Sequence, residues 1–168
     1  MQLLATLKAT DVEDNLPDFD YTSFRPRTAG RAVIFDGEKV ALIHVKKHGY
    51  YMLPGGGIDD ENLSAGLARE IRQELGCEVE ITSEVGSTII YMDRWSTKQT
   101  DYCYTAKKIG ITMDRSPTDF ETEEGHEIVW ADNLAEAIQL VEAAAPANRD
   151  GKLVRARDLL FLEIAQAS

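Results

Sequence analysis

Apolar and polar residues alternate along the chain with two periods, one typical of strands and one typical of helices. Segments 31–35 and 40–45 are rich in β-branched and apolar residues, and the turn between them opens with Asp36-Gly37, a strong hairpin signal. A weaker alternation over 1–8 predicts a first strand or an arm. Further segments have strand-like composition: 50–53, 78–82, 86–92, 100–107, 109–112 and 128–130. The pattern predicts a mixed sheet.

Three other segments place apolar residues at helical spacing. The first follows a glycine-rich loop, with Asn62 placed to cap it and Gly76 placed to end it. The second spans 135–144, and Asn133 opens a capping-box pattern in front of it. The third runs from Gly151 to about residue 165. Together with the strands, these helices predict an α/β or α+β fold.

Length and charge narrow the class of protein. The 168 residues suit one domain with a sizeable core, predicted over 1–168, in which residues 1–28 form an N-terminal strand or arm and an acidic loop. The two cysteines lack metal-type spacing, and we find neither a secretory signal nor an apolar run of about 18 residues, so we expect a cytoplasmic protein. A net charge of −11 argues against nucleic acid or an anionic membrane as partner.

The polar face of the first helix carries candidate metal ligands. Glu70 and Glu74 lie one turn apart on the same side, with Gln73 beside them. Two such carboxylates can share a hard cation, and Mg²⁺ is usually held by one or two carboxylates plus substrate phosphates. The alternative is an ordinary solvated helix face. A bound cation would also offset the repulsion between this acidic protein and a nucleotide.

The spacing of the segment from Gly55 to Cys77 resembles the Nudix box, G-x5-E-x7-R-E-U-x-E-E-x-G-U, in which U is an apolar residue. One clear departure is Gln73, where the family usually has the first glutamate of its E-E pair. A second departure is the loop before Glu61, which is one residue shorter than the common P-G-G-x-x-E-x-G-E pattern. The chain is therefore identified as resembling the Nudix hydrolases.

The resemblance implies a Nudix-type α/β/α sandwich with a mixed central sheet, covering nearly the whole chain. It also implies a Mg²⁺-dependent pyrophosphohydrolase, with Mn²⁺ as the other candidate cation. Such an enzyme cleaves a nucleoside diphosphate linked to another moiety, by attack of a metal-activated water on phosphorus. The expected partner is a small-molecule nucleotide such as an NTP, an oxidised NTP or ADP-ribose.

The resemblance also assigns roles within the box. Glu70 and Glu74 would be catalytic carboxylates that ligate the cation, and the carbonyl oxygen of Gly55 would be a further ligand. Gln73 would offer an amide oxygen without charge, so we expect weaker cation binding than with glutamate there. The residues with a structural role, which tie the loop to the helix or end it, would be Glu61, Arg69 and Gly76.

The acidic segment 114–125 is predicted to be a long loop. Nudix hydrolases often take one more carboxylate from this region, and Glu124 is the first candidate for a catalytic role, followed by Glu123. The alternative is a run of solvated acids. His126 could serve as a general base by its chemistry, but its position at a strand edge supports this only weakly.

Three residues are candidates for substrate binding. Arg31 could meet a phosphate, although a surface arginine that offsets acidic neighbours is the simpler interpretation. Tyr51, like the adjacent Tyr50, could stack on a base, with core or rim packing as the alternative. Trp95 lies in a polar turn and could be a lid or a stacking group, or it could anchor a neighbouring loop.

A second hypothesis is a nucleotide-binding or sensor domain of the same fold with little or no activity. It is motivated by Gln73 and by the shortened loop. Under this hypothesis, Gln73→Glu would create activity that the parent lacks. The N-terminal segment 1–8 leaves a homodimer open, because it could pair with a second chain as well as with its own sheet.

Overall fold

The computed structural model describes residues 1–59, 62–110 and 112–168. Within the described residues, the strands are β1 (Leu3–Leu7), β2 (Arg25–Asp36), β3 (Lys39–Val45), β4 (Tyr50–Met52), β5 (Gly55–Gly57), β6 (Glu78–Met92), β7 (Thr97–Ile109) and β8 (His126–Ala131). The α-helices are α1 (Leu63–Leu75), α2 (Asp119–Glu124), α3 (Leu134–Ala143) and α4 (Arg149–Ala167). Short 3₁₀ turns lie at Ala9–Asp11, Tyr21–Ser23 and Asp93–Trp95.

The strands form one mixed sheet in the order β1-β6-β7-β2-β3-β4, to which β5 adds beside β2 and β8 adds beside β3. The pairs β1–β6 and β2–β7 are parallel, whereas the hairpins β2–β3 and β6–β7 are antiparallel. The predicted mixed sheet is confirmed. The N-terminal segment pairs with its own sheet as β1, which is one of the two alternatives left open by the sequence.

Helices cover both faces of the sheet. Alternation along β2 turns Ile34 to one face, where it joins the core cluster that includes Leu67 of α1, and turns Val33 to the other. On that second face, Val141 of α3 and Phe161 of α4 complete a separate cluster. The result is the predicted three-layer arrangement, with α1 on the face that carries the candidate metal ligands.

The helix boundaries follow local signals in the sequence. The Asn62 side chain accepts a hydrogen bond from the backbone N–H of Ala65 at 3.0 Å, and Asn133 caps α3 in the same way through Glu136. Gly76 ends α1 with a left-handed φ of 69°. These predicted caps are confirmed. No helix in the described part of the chain is long and apolar enough to cross a membrane.

Two predicted strand boundaries were wrong. The predicted gap between 82 and 86 is absent because β6 continues through it with register shifts at Ile81/Ser83 and Glu84/Gly86 against β7. Strand β2 begins six residues before the predicted start at Arg31, because its early part pairs in parallel with β7 from Arg25↔Thr97 onward. Thr112 is outside any strand, and Ile111 lies outside the described residues.

The predicted loop 114–125 contains a short helix, α2. Its first turn is held by a reciprocal capping box: the Thr118 hydroxyl accepts from the Glu121 backbone N–H, and the Glu121 carboxylate accepts from the Thr118 backbone N–H. The pattern Thr118-x-x-Glu121 is therefore the sequence signal that predicts this helix. Its consequence is that Glu121 is fixed in orientation.

A buried arginine–aspartate network, formed by Arg31, Asp101, Arg157 and Asp158, joins α4 to the centre of the sheet. Asp101 Oδ1 accepts from Arg157 Nη1 at 3.0 Å and from Arg31 Nε at 3.1 Å. Arg157 also binds both oxygens of Asp158, at 2.7 and 3.1 Å. Asp158 in turn accepts from the Leu53 backbone N–H at 2.8 Å. The network thereby fixes the chain just before the glycine-rich loop.

Candidate active site

The site begins with Glu74, on the face of α1 that turns towards the glycine loop. Its side chain is buried, and its Oε2 accepts a hydrogen bond from the backbone N–H of Gly55 at 2.9 Å. Burial raises the pKa of this carboxyl to about 8, although the Gly55 hydrogen bond and the nearby Arg31 cation act against the rise. A buried acid that is costly to ionise gains most from a bound cation.

The glycine segment 55–57 was predicted to be a loop, but it is the short strand β5, which pairs antiparallel with β2. Its bare glycines let the helix carboxylates approach the backbone of this segment. Gly55 has φ of 133°, and a Cβ there would collide with the carbonyl of Gly30. A Cβ on Gly56 would collide with Oε2 of Glu70. A side chain at position 55 would therefore push this segment away from β2, whereas one at position 56 would displace the Glu70 carboxylate.

Glu74, Glu121 and His126 bring three potential ligand atoms within 4.8 Å of one another. Nδ1 of His126 lies 3.9 Å from Oε1 of Glu74 and, among the described residues, has no hydrogen-bond partner although it is buried. Burial also lowers the pKa of His126, which favours the neutral imidazole that coordinates metals. Two carboxylates and a neutral imidazole around a common point fit a divalent cation.

Glu121 reaches this cluster because the preceding segment is bound to the end of α1. The backbone N–H of Met113 donates to the carbonyl of Gly76 at 2.5 Å, and that of Ser116 donates to the carbonyl of Gln73 at 2.9 Å. Arg115 Nε donates to the carbonyl of Glu74 at 2.8 Å. These bonds satisfy carbonyls that the helix end leaves unpaired, and they place α2 beside the buried carboxylate.

Glu124, the first candidate for the additional carboxylate, lies at the end of α2 but belongs to another cluster. Its oxygens bind Lys47 Nζ at 2.8 Å and His48 Nε2 at 2.7 Å. These partners hold the pKa of Glu124 below its ordinary value despite burial. Glu123, the second candidate, is largely exposed and lies 3.6 Å from Lys47. The structure brings Glu121 to Glu74 instead of either residue.

Two adjoining pockets open beside the cluster and share the side chains of Met92, Trp95 and Phe120. The outer pocket has a volume of about 410 Å³, and its other walls are Arg25, Arg27 and Thr97. The inner pocket, of about 150 Å³, extends to a further set of residues that includes Tyr50, Glu124, His126 and Asp150. Trp95 is 47% exposed and Phe120 is 54% exposed, so both rings are accessible to a ligand. The pockets lead from solvent to the imidazole of the cluster.

The structure places the other predicted box residues as follows. Glu70 is more exposed than Glu74, and one of its oxygens lies 3.3 Å from Arg69. Gln73 is half-buried and contributes its backbone carbonyl to the contact with Ser116. The predicted pair of Arg69 with Glu61 cannot be described, because Glu61 lies outside the described residues.

The predicted substrate residues are not all near the pockets. Arg31 lies near Glu74, and its buried guanidinium donates to the Gly55 carbonyl at 2.8 Å and to Asp101. Tyr51 stacks on His44 with ring centroids 4.5 Å apart and packs with the core cluster that contains α3, on the opposite face from α1. Trp95 lines both pockets, and its indole N–H donates to Asp150 at 3.2 Å, so it both anchors α4 and faces the cleft.

Sequence reasoning did not select Glu121 or Phe120 as site residues, and of the two adjacent tyrosines it chose Tyr51 over Tyr50. Tyr50 lies in the inner pocket because adjacent residues of a strand point to opposite faces, and this places Tyr50 rather than Tyr51 towards the site. Phe120 and Glu121 follow Thr118 in the capped first turn of α2. The capping-box pattern could have identified that turn as helical, but only the packing against α1 shows which side chains reach the site.

Comparison with known families agrees with this geometry. The NUDIX domain model matches residues 25–152. The chain therefore belongs to the Nudix family, and it is a hydrolase acting on pyrophosphate bonds. No protein with curated annotation matches the chain.

Solved structures show the same fold at low sequence identity. A NUDIX hydrolase from Nitrosomonas europaea is 17% identical with a TM-score of 0.64, over 85% of this chain and 90% of that chain. The E. coli ORF135 protein is 22% identical with a TM-score of 0.59, over 86% and 91%. An ADP-ribose pyrophosphatase from Streptococcus suis is 22% identical with a TM-score of 0.55, over 85% and 93%.

Proposed function

We propose that the protein is a Mg²⁺-dependent pyrophosphohydrolase that cleaves a nucleoside diphosphate linked to another moiety. The observation that carries the proposal is the buried carboxylate of Glu74, held under the glycine loop by the Gly55 N–H and adjoining a pocket with accessible aromatic rings. The substrate class comprises NTPs, oxidised NTPs, ADP-ribose and related compounds. We place this activity in the cytoplasm.

The residues that would hold the cation are Glu74, Glu70 and Glu121, with the Gly55 carbonyl as a further oxygen donor. A divalent cation supplies phosphate charge neutralisation and a lowered pKa of bound water when it is present. The Gly55 carbonyl already accepts from Arg31, and a carbonyl oxygen has a second lone pair available. The three carboxylates would supply the negative charge that a divalent cation needs, beside the fixed guanidinium of Arg31.

The side chains divide the remaining tasks. Glu70 is the accessible helix carboxylate and would accept the proton of the attacking water, while Glu74 is already fixed by the loop. Attack on phosphorus breaks a phosphoanhydride bond, and the departing phosphate takes up the bond electrons. Trp95 and Phe120 would hold the base, and Arg25 and Arg27 would contribute positive charge to the same pocket.

The test is turnover of a panel of nucleoside diphosphate derivatives, with Mg²⁺ at about millimolar concentration and after its removal with EDTA. We expect Mg²⁺-dependent release of a nucleoside monophosphate from one substrate class, with ¹⁸O from labelled water in one phosphate product. An exposed-acid variant, Glu163→Gln, should match the parent. Tight nucleotide binding without turnover on the whole panel would contradict the proposal and support the sensor hypothesis.

Loss of the indole ring should weaken substrate binding. We expect Trp95→Ala to raise KM about 5- to 100-fold with little change in kcat, because stacking of a base on an aromatic ring contributes about 1–3 kcal/mol. Trp95→Phe keeps a stacking surface and should retain most of the affinity. Steady-state kinetics on the preferred substrate measure both values. An unchanged KM in Trp95→Ala would show that the base binds elsewhere.

A further inference from the structure

We infer that His126 is a ligand of the catalytic cation through Nδ1, and that this nitrogen makes the site select Mn²⁺ over Mg²⁺. The inference rests on the proposed function, because it concerns the cation of the same site. It departs from the sequence expectation, in which His126 is at most a general base and the cation ligands are all oxygen atoms.

The first observation is the unsatisfied nitrogen. The His126 side chain is only 7% exposed, and its Nδ1 has no hydrogen-bond partner among the described residues. The nearest carboxylate oxygen, Oε1 of Glu74, is 3.9 Å away, which is too long for a hydrogen bond. Buried polar atoms are nearly always paired, and a cation held jointly with Glu74 and Glu121 would supply the partner that this nitrogen lacks.

The second observation is that the separations suit ligands of one ion. Atoms bound to a cation at about 2.1 Å lie roughly 3 to 4.2 Å apart, depending on whether they are adjacent or opposite. The Glu74–His126 separation of 3.9 Å is within this interval. All three atoms of the Glu74, Glu121 and His126 cluster lie within 4.8 Å of one another, so a small inward movement completes the set.

The third observation is that the donors are already oriented. Oε2 of Glu74 is taken by the Gly55 N–H at 2.9 Å, and Oε2 of Glu121 is taken by the Thr118 N–H at 2.5 Å. The other oxygen of each carboxylate is left for an ion. His126 is fixed by the strand, since it pairs with Val45 at the start of β8. Such outer hydrogen bonds are how proteins orient metal ligands.

The identity of the preferred ion follows from ligand chemistry. Mg²⁺ binds oxygen ligands and is reluctant to exchange water for other donors. First-row transition ions accept an imidazole nitrogen more readily, and Mn²⁺ also accepts carboxylates. A site with two carboxylates and one imidazole therefore favours Mn²⁺ over Mg²⁺. A general base, by contrast, must reach the attacking water, and the imidazole is more buried than Glu70.

The experiment measures Mn²⁺ binding to the full chain directly, without turnover. Electron paramagnetic resonance gives the concentration of unbound Mn²⁺ during titration, and competition gives the Mg²⁺ affinity. Electron spin echo modulation then detects an imidazole ¹⁴N bound to Mn²⁺. The chain has three histidines, so the signal can be assigned by replacing them one at a time.

We expect Mn²⁺ to bind the parent at least about tenfold more tightly than Mg²⁺ and to show imidazole modulation. His126→Gln should show no imidazole modulation, and its affinity for Mn²⁺ should be about tenfold lower than that of the parent. Its affinity for Mg²⁺ should change little. His48→Gln, which alters the neighbouring Glu124 cluster, should retain both. A melting curve establishes that each variant is folded.

Bound Mn²⁺ without imidazole modulation in the parent would overturn the inference whatever the variants do. Modulation that persists in folded His126→Gln would overturn it as well, and so would the absence of Mn²⁺ binding. Imidazole modulation in a protein that hydrolyses nothing on the panel would support the inference while the proposed function fails. Hydrolysis with Mg²⁺ and no imidazole signal would support the function and overturn the inference.

Discussion

Glu74→Gln is expected to reduce hydrolysis about a thousandfold and, at the same time, to stabilise the cation-free protein at pH 8. The loss of activity follows from removal of a charged cation ligand, because a bound cation supplies several kcal/mol of transition-state stabilisation. The gain in stability follows from the burial of the carboxyl, whose folded pKa is raised to about 8. Glutamine resembles the protonated acid and can keep the hydrogen bond from Gly55.

The sign of the pH dependence follows from the two pKa values. Below the ordinary pKa of 4.5, Glu74 is protonated in both the folded and the unfolded state, so the substitution should change stability little. Between 4.5 and about 8, the unfolded chain ionises and the folded protein does not, so the parent loses stability as pH rises. A pKa raised from 4.5 to about 8 corresponds to about 4 kcal/mol of folding free energy at pH 8. For a chain of this length, we therefore expect the melting temperature of Glu74→Gln to exceed that of the parent by roughly 10 °C at pH 8.

Melting curves of the EDTA-treated parent and variant from pH 4 to pH 9 measure this difference. Glu163→Gln, an exposed acid on α4, is the matched control and should follow the parent throughout. Addition of the divalent cation should then stabilise the parent more than Glu74→Gln, because the cation binds the folded, ionised site. A variant that is less stable than the cation-free parent at pH 8 would contradict the account.

Arg157→Met should produce the largest loss of stability, about 3–5 kcal/mol, or a fall in melting temperature of roughly 10 °C. Arg157 is 1% exposed and pairs with two aspartates that are fully buried, Asp101 and Asp158. Its removal leaves their charges without the guanidinium that binds both. Because the same network holds Arg31 against the Gly55 carbonyl, activity of the folded variant should fall as well.

Arg72→Met provides the control. Arg72 makes a two-pronged contact with Glu78, at 2.5 and 2.9 Å, but its side chain is 53% exposed. Solvent screens such a pair, so we expect its melting temperature to change by less than about 3 °C. Urea unfolding of both variants gives the free energies of unfolding. Equal losses of unfolding free energy in Arg157→Met and Arg72→Met would show that burial does not increase the contribution of the network to stability.

Local signals were sufficient for α1, α3 and α4 and for the helix carboxylates, but α2 was predicted as a loop. Asn62 and Gly76 mark the two ends of α1 in the sequence, and the spacing of Glu70 and Glu74 places them on one face. The continuity of β6 was not predictable in this way, because its register shifts depend on the residues of β7 that oppose it. The alternation of apolar and polar residues along one strand does not predict a bulge.

The choice of the further acidic residue could not be made from the sequence. Glu121, Glu123 and Glu124 lie close together in the chain, and each is chemically able to bind a cation. Only the tertiary contacts distinguish their roles. Glu124 forms ion pairs with Lys47 and His48. Glu121 lies near Glu74 because Met113 and Ser116 are hydrogen-bonded to α1. The same holds for Arg157, whose burial depends on how α4 packs on the sheet.

The contacts between segment 112–118 and the end of α1 couple the order of that segment to the integrity of the site. A local opening that broke the Met113 and Ser116 bonds would separate Glu121 from Glu74 while leaving the sheet pairing unchanged. The cation and substrate would then bind only the closed form, so each would shift the equilibrium towards closure. Residues 113–116 therefore support the site from outside its set of ligands, because their contacts with the end of α1 keep Glu121 beside Glu74.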